Sequence, residues 1–189
     1  MIVGIDEAGR GPLAGAVVAC ALCLKKKPSF KVRDSKALSP SLREGIFHWL
    51  TSNSVFAIGI ADAIEIDRVN ILQATFLAFN RAIKNIIKKN PDLKQAQFII
   101  DGNMFRTDLN LKYKCIIKAD EKIQEVSCAS IVAKVVRDHL MNMVDFLYPN
   151  WNFSKHKGYP TKEHFSLINK HSLSPFHRQS FTPCRRGKI

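Results

Sequence analysis

The sequence predicts an α/β fold, a five-stranded mixed sheet flanked by helices, with a smaller helical or loop-rich lobe at the C-terminal end. Three observations predict it. Short apolar runs bounded by turn signals recur as strands, two long stretches carry the helical period, and these segments follow one another as strand, strand, helix, strand, helix, strand, strand, helix, tail.

Residues 2–7 and 14–24 are apolar and β-rich, and the segment from Gly9 to Gly15 joins them as neighbouring strands. Lys25 to Lys27 and Pro28 end the second. Ser39-Pro40 reads as N-cap and first position of a helix, with Leu42, Ile46 and Leu50 as its apolar stripe. Residues 54–61 return to strand. Residues 70–89 form the clearest helix, with Ile71, Leu72, Thr75, Phe76, Phe79, Ile83, Ile86 and Ile87 on one side. Lys84, Lys88 and Lys89 suit the end of its dipole, and Asn90-Pro91 stops it. Residues 96–100 are a short buried strand ending at Asp101-Gly102-Asn103, and residues 113–117 another ending near Asp120. A long helix is expected from about Gln124 to Leu147. After Pro149 the chain turns polar, aromatic and basic, with weaker periodicity.

The bulk numbers favour one domain with a real core: 189 residues, 46% of them hydrophobic. A net charge of +13 favours a polyanionic partner over a membrane surface, since no lipidation motif or long basic amphipathic helix accompanies it. The apolar run 12–24 is too short to span a bilayer, and Asp6 and Glu7 precede it where a signal peptide carries positive charge. The five cysteines form no paired framework, so they read as buried thiols of a reducing cytoplasm. Cys20 and Cys23, three apart on a strand, point to opposite faces. None of the six histidines has a zinc-like spacing with cysteine partners, and a surface place or core packing is the expectation for most of them.

Asp6, Asp101 and Asp120 each fall at or just past the C-terminal end of an expected strand, the edge where α/β sheets gather ligand sites. Glu7 adds a fourth carboxylate, which shares a metal region with Asp6 only if the strand ends or bulges there. Hard oxygen donors on a basic protein suit magnesium or manganese and phosphodiester hydrolysis. Lys36, in Asp34-Ser35-Lys36, is a candidate phosphate contact, and Tyr159, beside the small Gly158, a candidate for stacking on a sugar or base. His177-Arg178-Gln179-Ser180-Phe181 repeats that basic and aromatic theme.

These segments together resemble the bacterial type 2 ribonucleases H, the ribonuclease HII family. The resemblance is carried by GIDEAGRG (4–11), DSKALS (34–39), IDRVNILQAT (66–75), DGN (101–103), ADEK (119–122), ASIVAKVVRD (129–138), HKGYPT (156–161) and HRQSF (177–181), in that order. It departs from the family pattern at Ala119, Cys128 and Pro160. The resemblance implies a ribonuclease H-like fold and a metal-bound acidic set of Asp6, Glu7, Asp101 and Asp120, with Mn2+ or Mg2+ as cofactor. It implies cleavage of RNA in RNA–DNA hybrids and nicking on the 5′ side of single ribonucleotides embedded in duplex DNA, leaving 3′-hydroxyl and 5′-phosphate ends. It further implies that backbone groups of Gly9, Arg10 and Gly11 read the 2′-hydroxyl while Tyr159 packs on the neighbouring sugar. Residues 1–148 are then the catalytic core and 149–189 a substrate-contacting segment packed on the same domain. The enzyme is expected to be a cytoplasmic monomer. A ribonuclease HIII is the related alternative, which the intact Gly9-Arg10-Gly11 and Tyr159 oppose. A non-catalytic hybrid-binding module would have a broken acidic set, and a basic structural protein leaves three acids at strand ends unexplained.

Overall fold

The computed structural model describes residues 1–29 and 38–185, apart from the side chain of Pro183. Its five strands are β1 (Ile2–Ala8), β2 (Val17–Leu24), β3 (Ser54–Ala61), β4 (Gln97–Asp101) and β5 (Lys112–Ile116). They form one sheet in the order β3-β2-β1-β4-β5. The β1–β2 and β2–β3 pairs are antiparallel, whereas β1–β4 and β4–β5 are parallel. The sheet is therefore mixed, as the element order predicted.

Both faces are covered, which is why β2 reads as one apolar run. Val17, Ala19, Ala21 and Cys23 face the core beneath α2 (Ala63–Lys89), together with Val3 and Ile5. Cys20 and Leu22 face the other core, with Ile46 and Leu50 of α1 (Pro40–Asn53) and the apolar side of α3 (Gln124–Leu147). Cys20 and Cys23 thus lie on opposite faces, and all five cysteines are free thiols. Gly4 is a close-approach position: a Cβ there would collide with the α3 backbone at Glu125 and Val126.

One helix boundary and one stripe residue depart from the sequence reading. α2 begins at Ala63, seven residues before the expected start at 70, because Asp62 and Glu65 form a reciprocal capping box. It is interrupted at Asn70, whose φ is 70° and whose side chain accepts from the N–H groups of Leu72 and Gln73. The expected helix is therefore the second of two, separately capped. In α1, Ser39 caps as expected and accepts from the N–H of Leu42, but Leu42 itself is exposed rather than part of the stripe.

From Pro149 the chain forms short helices, α4 (Phe153–His156), α5 (Lys162–His171) and α6 (Thr182–Arg185). This segment closes over the connection between β1 and β2. Leu13 donates its N–H to the Gly158 carbonyl (2.8 Å), Gly15 to that of Phe176 (2.8 Å), and Arg178 to that of Leu13 (2.8 Å). Residues 14–16, expected in strand, lie outside β2, though Ala14 makes an isolated bridge to His177. Among the described residues, no helix is long and apolar enough to cross a membrane.

Candidate active site

The parallel pairing of β1 with β4 brings the acids together. Ile5 sits opposite Ile100, so Asp6 and Asp101 follow one step later on adjacent strands. β5 runs parallel on the far side of β4, and the chain leaves it into a short turn, Ala119–Glu121, that carries Asp120. The Asp101 carboxylate accepts the N–H of Ala119 (2.7 Å), tying the Asp120 turn to the end of β4. Ala119, a departure from the family pattern, fits there fully buried and without a positive φ.

The strand does not bulge at Glu7 and ends one residue later, at Ala8. β1 stays paired with β2 through Glu7 and Ala8, and the N–H of Glu7 donates to the Asp6 carboxylate (2.7 Å). What lets Glu7 join the cluster is that β1 outruns β4, leaving its last residues at the open edge of the sheet. Asp6 is buried, and its pKa stands well above the ordinary carboxylate range. Burial is the main cause, followed by the charges of Glu7 and Asp101, while a hydrogen bond from Ser130 works the other way. Burial also raises Glu7, opposed by Arg10 at 3.5 Å and assisted by Asp101. Among the described residues, no three His, Cys, Asp or Glu side chains are grouped closely enough to hold a metal ion. The donor set nonetheless fits a divalent cation in chemistry. It is a group of hard oxygens whose mutual repulsion in a low-dielectric setting a cation would relieve.

A cavity of about 250 Å³ adjoins the acids, walled by Glu7, the Gly9–Gly11 loop, Ser130, Lys134 and Tyr159. Gly9 has φ 101°, and a Cβ there would collide with Arg137, so the loop can take only glycine at this point. Two buried arginines hold the loop from beneath. Arg178 donates to the carbonyls of Gly9 (2.5 Å), Arg10 (2.9 Å), Pro12 (2.7 Å) and Gly15 (2.7 and 2.9 Å). Burial, then the charge of Arg137, pulls its guanidinium down to about 9, which leaves it charged at neutral pH. Arg137 donates to Ala16 (3.1 Å) and Ala14 (3.2 Å), and its guanidinium carbon lies 5.8 Å from the centroid of the Tyr159 ring.

The sequence profile of the ribonuclease HII family matches residues 3–184. The chain belongs to the ribonuclease HII family. The ribonuclease HII of Acinetobacter baylyi is 44% identical over 189 residues, covering 99% of this chain and 97% of that protein. The crystal structure of ribonuclease H2 from Pyrococcus horikoshii OT3 superposes with a TM-score of 0.76 at 24% identity, covering 98% of this chain and 95% of its own. Bst-RNase HIII in complex with Mn2+ superposes with a TM-score of 0.78 at 18% identity, covering 98% of this chain and 68% of its own. These two likenesses show the ribonuclease H-like fold. Family membership places the chain among the endoribonucleases of the type 2 ribonuclease H class.

Of the candidates read from the sequence of this ribonuclease HII family member, Asp6 and Asp101 lie on adjacent strands, Glu7 follows Asp6 along β1, and Asp120 lies in the adjoining turn. Gly9, Arg10, Gly11 and Tyr159 share the cavity with Glu7. Lys36 falls outside the described residues. In the HRQSF segment, which repeats the basic and aromatic theme, His177 and Arg178 are buried. Sequence reasoning missed Arg137 as a support and Ser130 and Lys134 as cavity walls. Nothing local sets Lys134 and Arg137 apart, since α3 also carries Glu125, Asp138 and Asp145.

Three histidines expected at the surface or in core packing form a buried aromatic cluster. His156 stacks on His164 at 4.2 Å between centroids, and His164 meets His177 at 5.1 Å. Burial is the largest cause of depression in each, taking His164 and His177 to about 4. The unfolded chain therefore binds more protons than the folded one between about pH 6.5 and 4. Stability is full above that window and falls as pH drops through it, by up to about 1.4 kcal/mol per pH unit for each imidazole. Urea midpoints at pH 7 and pH 5 check this; equal midpoints would contradict neutral burial.

Proposed function

We propose that this chain is a metal-dependent endoribonuclease that hydrolyses the RNA strand of RNA–DNA hybrids and nicks duplex DNA on the 5′ side of a single embedded ribonucleotide. The observation that carries this reading is the composition of one cavity. Glu7 forms one wall, and the Gly9–Gly11 backbone and the Tyr159 ring form others. A group able to hydrogen-bond a 2′-hydroxyl and a ring able to pack on the next sugar thus adjoin Glu7, the neighbour of Asp6 on β1, and the 2′-hydroxyl is what separates RNA from DNA at a site.

In this reading Asp6, Glu7, Asp101 and Asp120 hold Mn2+ or Mg2+. Two such ions, when bound, would supply activation of the attacking water and stabilisation of the leaving oxygen. Water adds to phosphorus and the bond to O3′ breaks. The proton ends on that oxygen, giving 3′-hydroxyl and 5′-phosphate ends. The Asp101 carboxylate keeps one oxygen on the Ala119 N–H, so the Asp120 turn stays beside it. Arg178 and Arg137 hold the loop carbonyls inward, which leaves the Gly9–Gly11 edge open to substrate. Residues 149–189 act as the substrate-contacting segment on a core of residues 1–148, in a cytoplasmic monomer, with Lys36 on a phosphate.

The deciding experiment incubates the protein with duplex DNA carrying one ribonucleotide and Mg2+ or Mn2+, then maps the cut. A nick on the 5′ side of the ribonucleotide, absent with EDTA, supports the reading. No cleavage with either metal by a folded, duplex-binding protein overturns it in favour of a binding module. Tyr159→Ala should lower cutting at single ribonucleotides about 5- to 150-fold, the range for a lost aromatic stack, with plain-duplex binding changed far less. Paired kinetic and anisotropy titrations check this, and equal losses would point to a general fold defect.

A further inference from the structure

We propose that His164 and His177 are positioning residues for Tyr159, acting as a one-way chain of neutral imidazoles that ends on the Tyr159 carbonyl. The proposal rests on the reading of Tyr159 as the residue that packs on the substrate sugar.

The two ends of the chain fix its direction. The Ser174 N–H can only donate, and it donates to His177 Nδ1 (2.8 Å). That nitrogen is then an acceptor, so the His177 proton sits on Nε2. His177 Nε2 faces His164 Nε2 at 3.0 Å. One of two facing nitrogens must accept, so His164 Nε2 is bare and its proton sits on Nδ1. His164 Nδ1 lies 2.9 Å from the Tyr159 carbonyl, which can only accept. The Ser174 hydroxyl also lies 2.8 Å from His177 Nδ1 and can share that acceptor with the Ser174 N–H. The alternative tautomer of either ring would set an N–H against the Ser174 N–H or a bare nitrogen against the Tyr159 carbonyl.

The surroundings preserve this arrangement. Phe153 sits against both rings, at 5.7 Å from His164 and 5.5 Å from His177. His156 covers His164, and its own tautomer is fixed: Nδ1 accepts the Gly158 N–H (3.1 Å) and Nε2 donates to the Trp151 carbonyl (2.8 Å). The residue after His177 is Arg178, which grips the Gly9–Gly15 loop. Residues 177 and 178 therefore hold the two walls of the cavity, one through His164 to Tyr159 and the other directly. The gap between the Gly9–Gly11 edge and the tyrosine ring is set by this short segment.

The test combines a double-mutant cycle with imidazole 15N NMR. Kinetics are measured on a duplex with one ribonucleotide for the parent, His164→Phe, Tyr159→Ala and the double variant. His164→Phe is expected to lower kcat/KM about tenfold. His164→Asn, which keeps a donor near the Nδ1 position, should recover most of the loss. In the Tyr159→Ala background, His164→Phe should add less than about twofold, because residues acting through one another are not additive. A full tenfold loss persisting without the Tyr159 ring would overturn the proposal. NMR of the parent protein at pH 7 is expected to show neutral rings, Nδ1–H for His164 and Nε2–H for His177. Charged rings or the opposite tautomers would overturn it even if the Phe variant fails to fold. A parent protein that cuts no ribonucleotide-containing duplex would instead remove the proposed function, and the tautomers would still decide the chain.

Discussion

Asp101→Asn is expected to lower cleavage more than about 100-fold, the upper end of what losing even an outer partner of a metal ligand costs, while duplex binding stays within about twofold. The substitution is nearly isosteric. Asp101 ends β4 beside Asp6, and its Oδ1 accepts the Ala119 N–H at 2.7 Å. An asparagine carbonyl can accept the same bond, so the Asp120 turn should stay in place. What disappears is one negative charge from a cluster in which Asp101 raises the pKa of both Asp6 and Glu7. Removing it should bring both carboxyl groups down towards their ordinary range. The metal-free variant should then be slightly more stable than the parent, because a native repulsion is gone. Single-turnover cleavage with Mn2+, anisotropy binding in EDTA and urea midpoints separate the three effects. Near-parental turnover would overturn the assignment of these carboxylates. Lost turnover together with lost stability would mean that the Ala119 bond, and not the charge, was the important one.

The sheet was legible because its strands obey simple rules. β2 is apolar on both faces since helices cover both, and α3 runs from Gln124 to Leu147 as its period indicated. The three aspartates were legible because each lies near the C-terminal end of a strand. That they converge required the strand order, which places β1 between β2 and β4 and makes β1, β4 and β5 parallel. The first two turns of α2 were hidden by Asn70. Its break interrupts the helical period, and Ile64 and Val69 point outward on the short stretch before it. The supports of the site were not legible at all. Arg137 and Arg178 read as surface by residue type, since charged side chains are seldom buried without partners. Their partners here are backbone carbonyls more than a hundred residues away in the chain, which no local pattern reports.

Those carbonyls make Arg178→Met the substitution with the largest expected effect on stability, about 3–5 kcal/mol, the order expected when several buried acceptors are left partly unmet. Methionine matches much of the volume and none of the donors. The carbonyls of Gly9, Arg10, Pro12 and Gly15 would lose their contacts to a side chain that is now fully buried. Each buried acceptor left unmet costs about 1–3 kcal/mol, and water entering the gap recovers part of the total. Arg178→Lys should lie between the two, because an ammonium has the charge but not the planar fork that spans several carbonyls. Urea unfolding with unchanged m-values measures both, and a loss below about 1 kcal/mol for the methionine variant would show that the loop holds itself. The same variant bears on function. The loop it releases is the wall that faces Tyr159 across the cavity, so the fraction that remains folded should still bind metal at the carboxylates yet cut poorly. Normal cleavage by that folded fraction would separate the loop's conformation from recognition of the ribonucleotide.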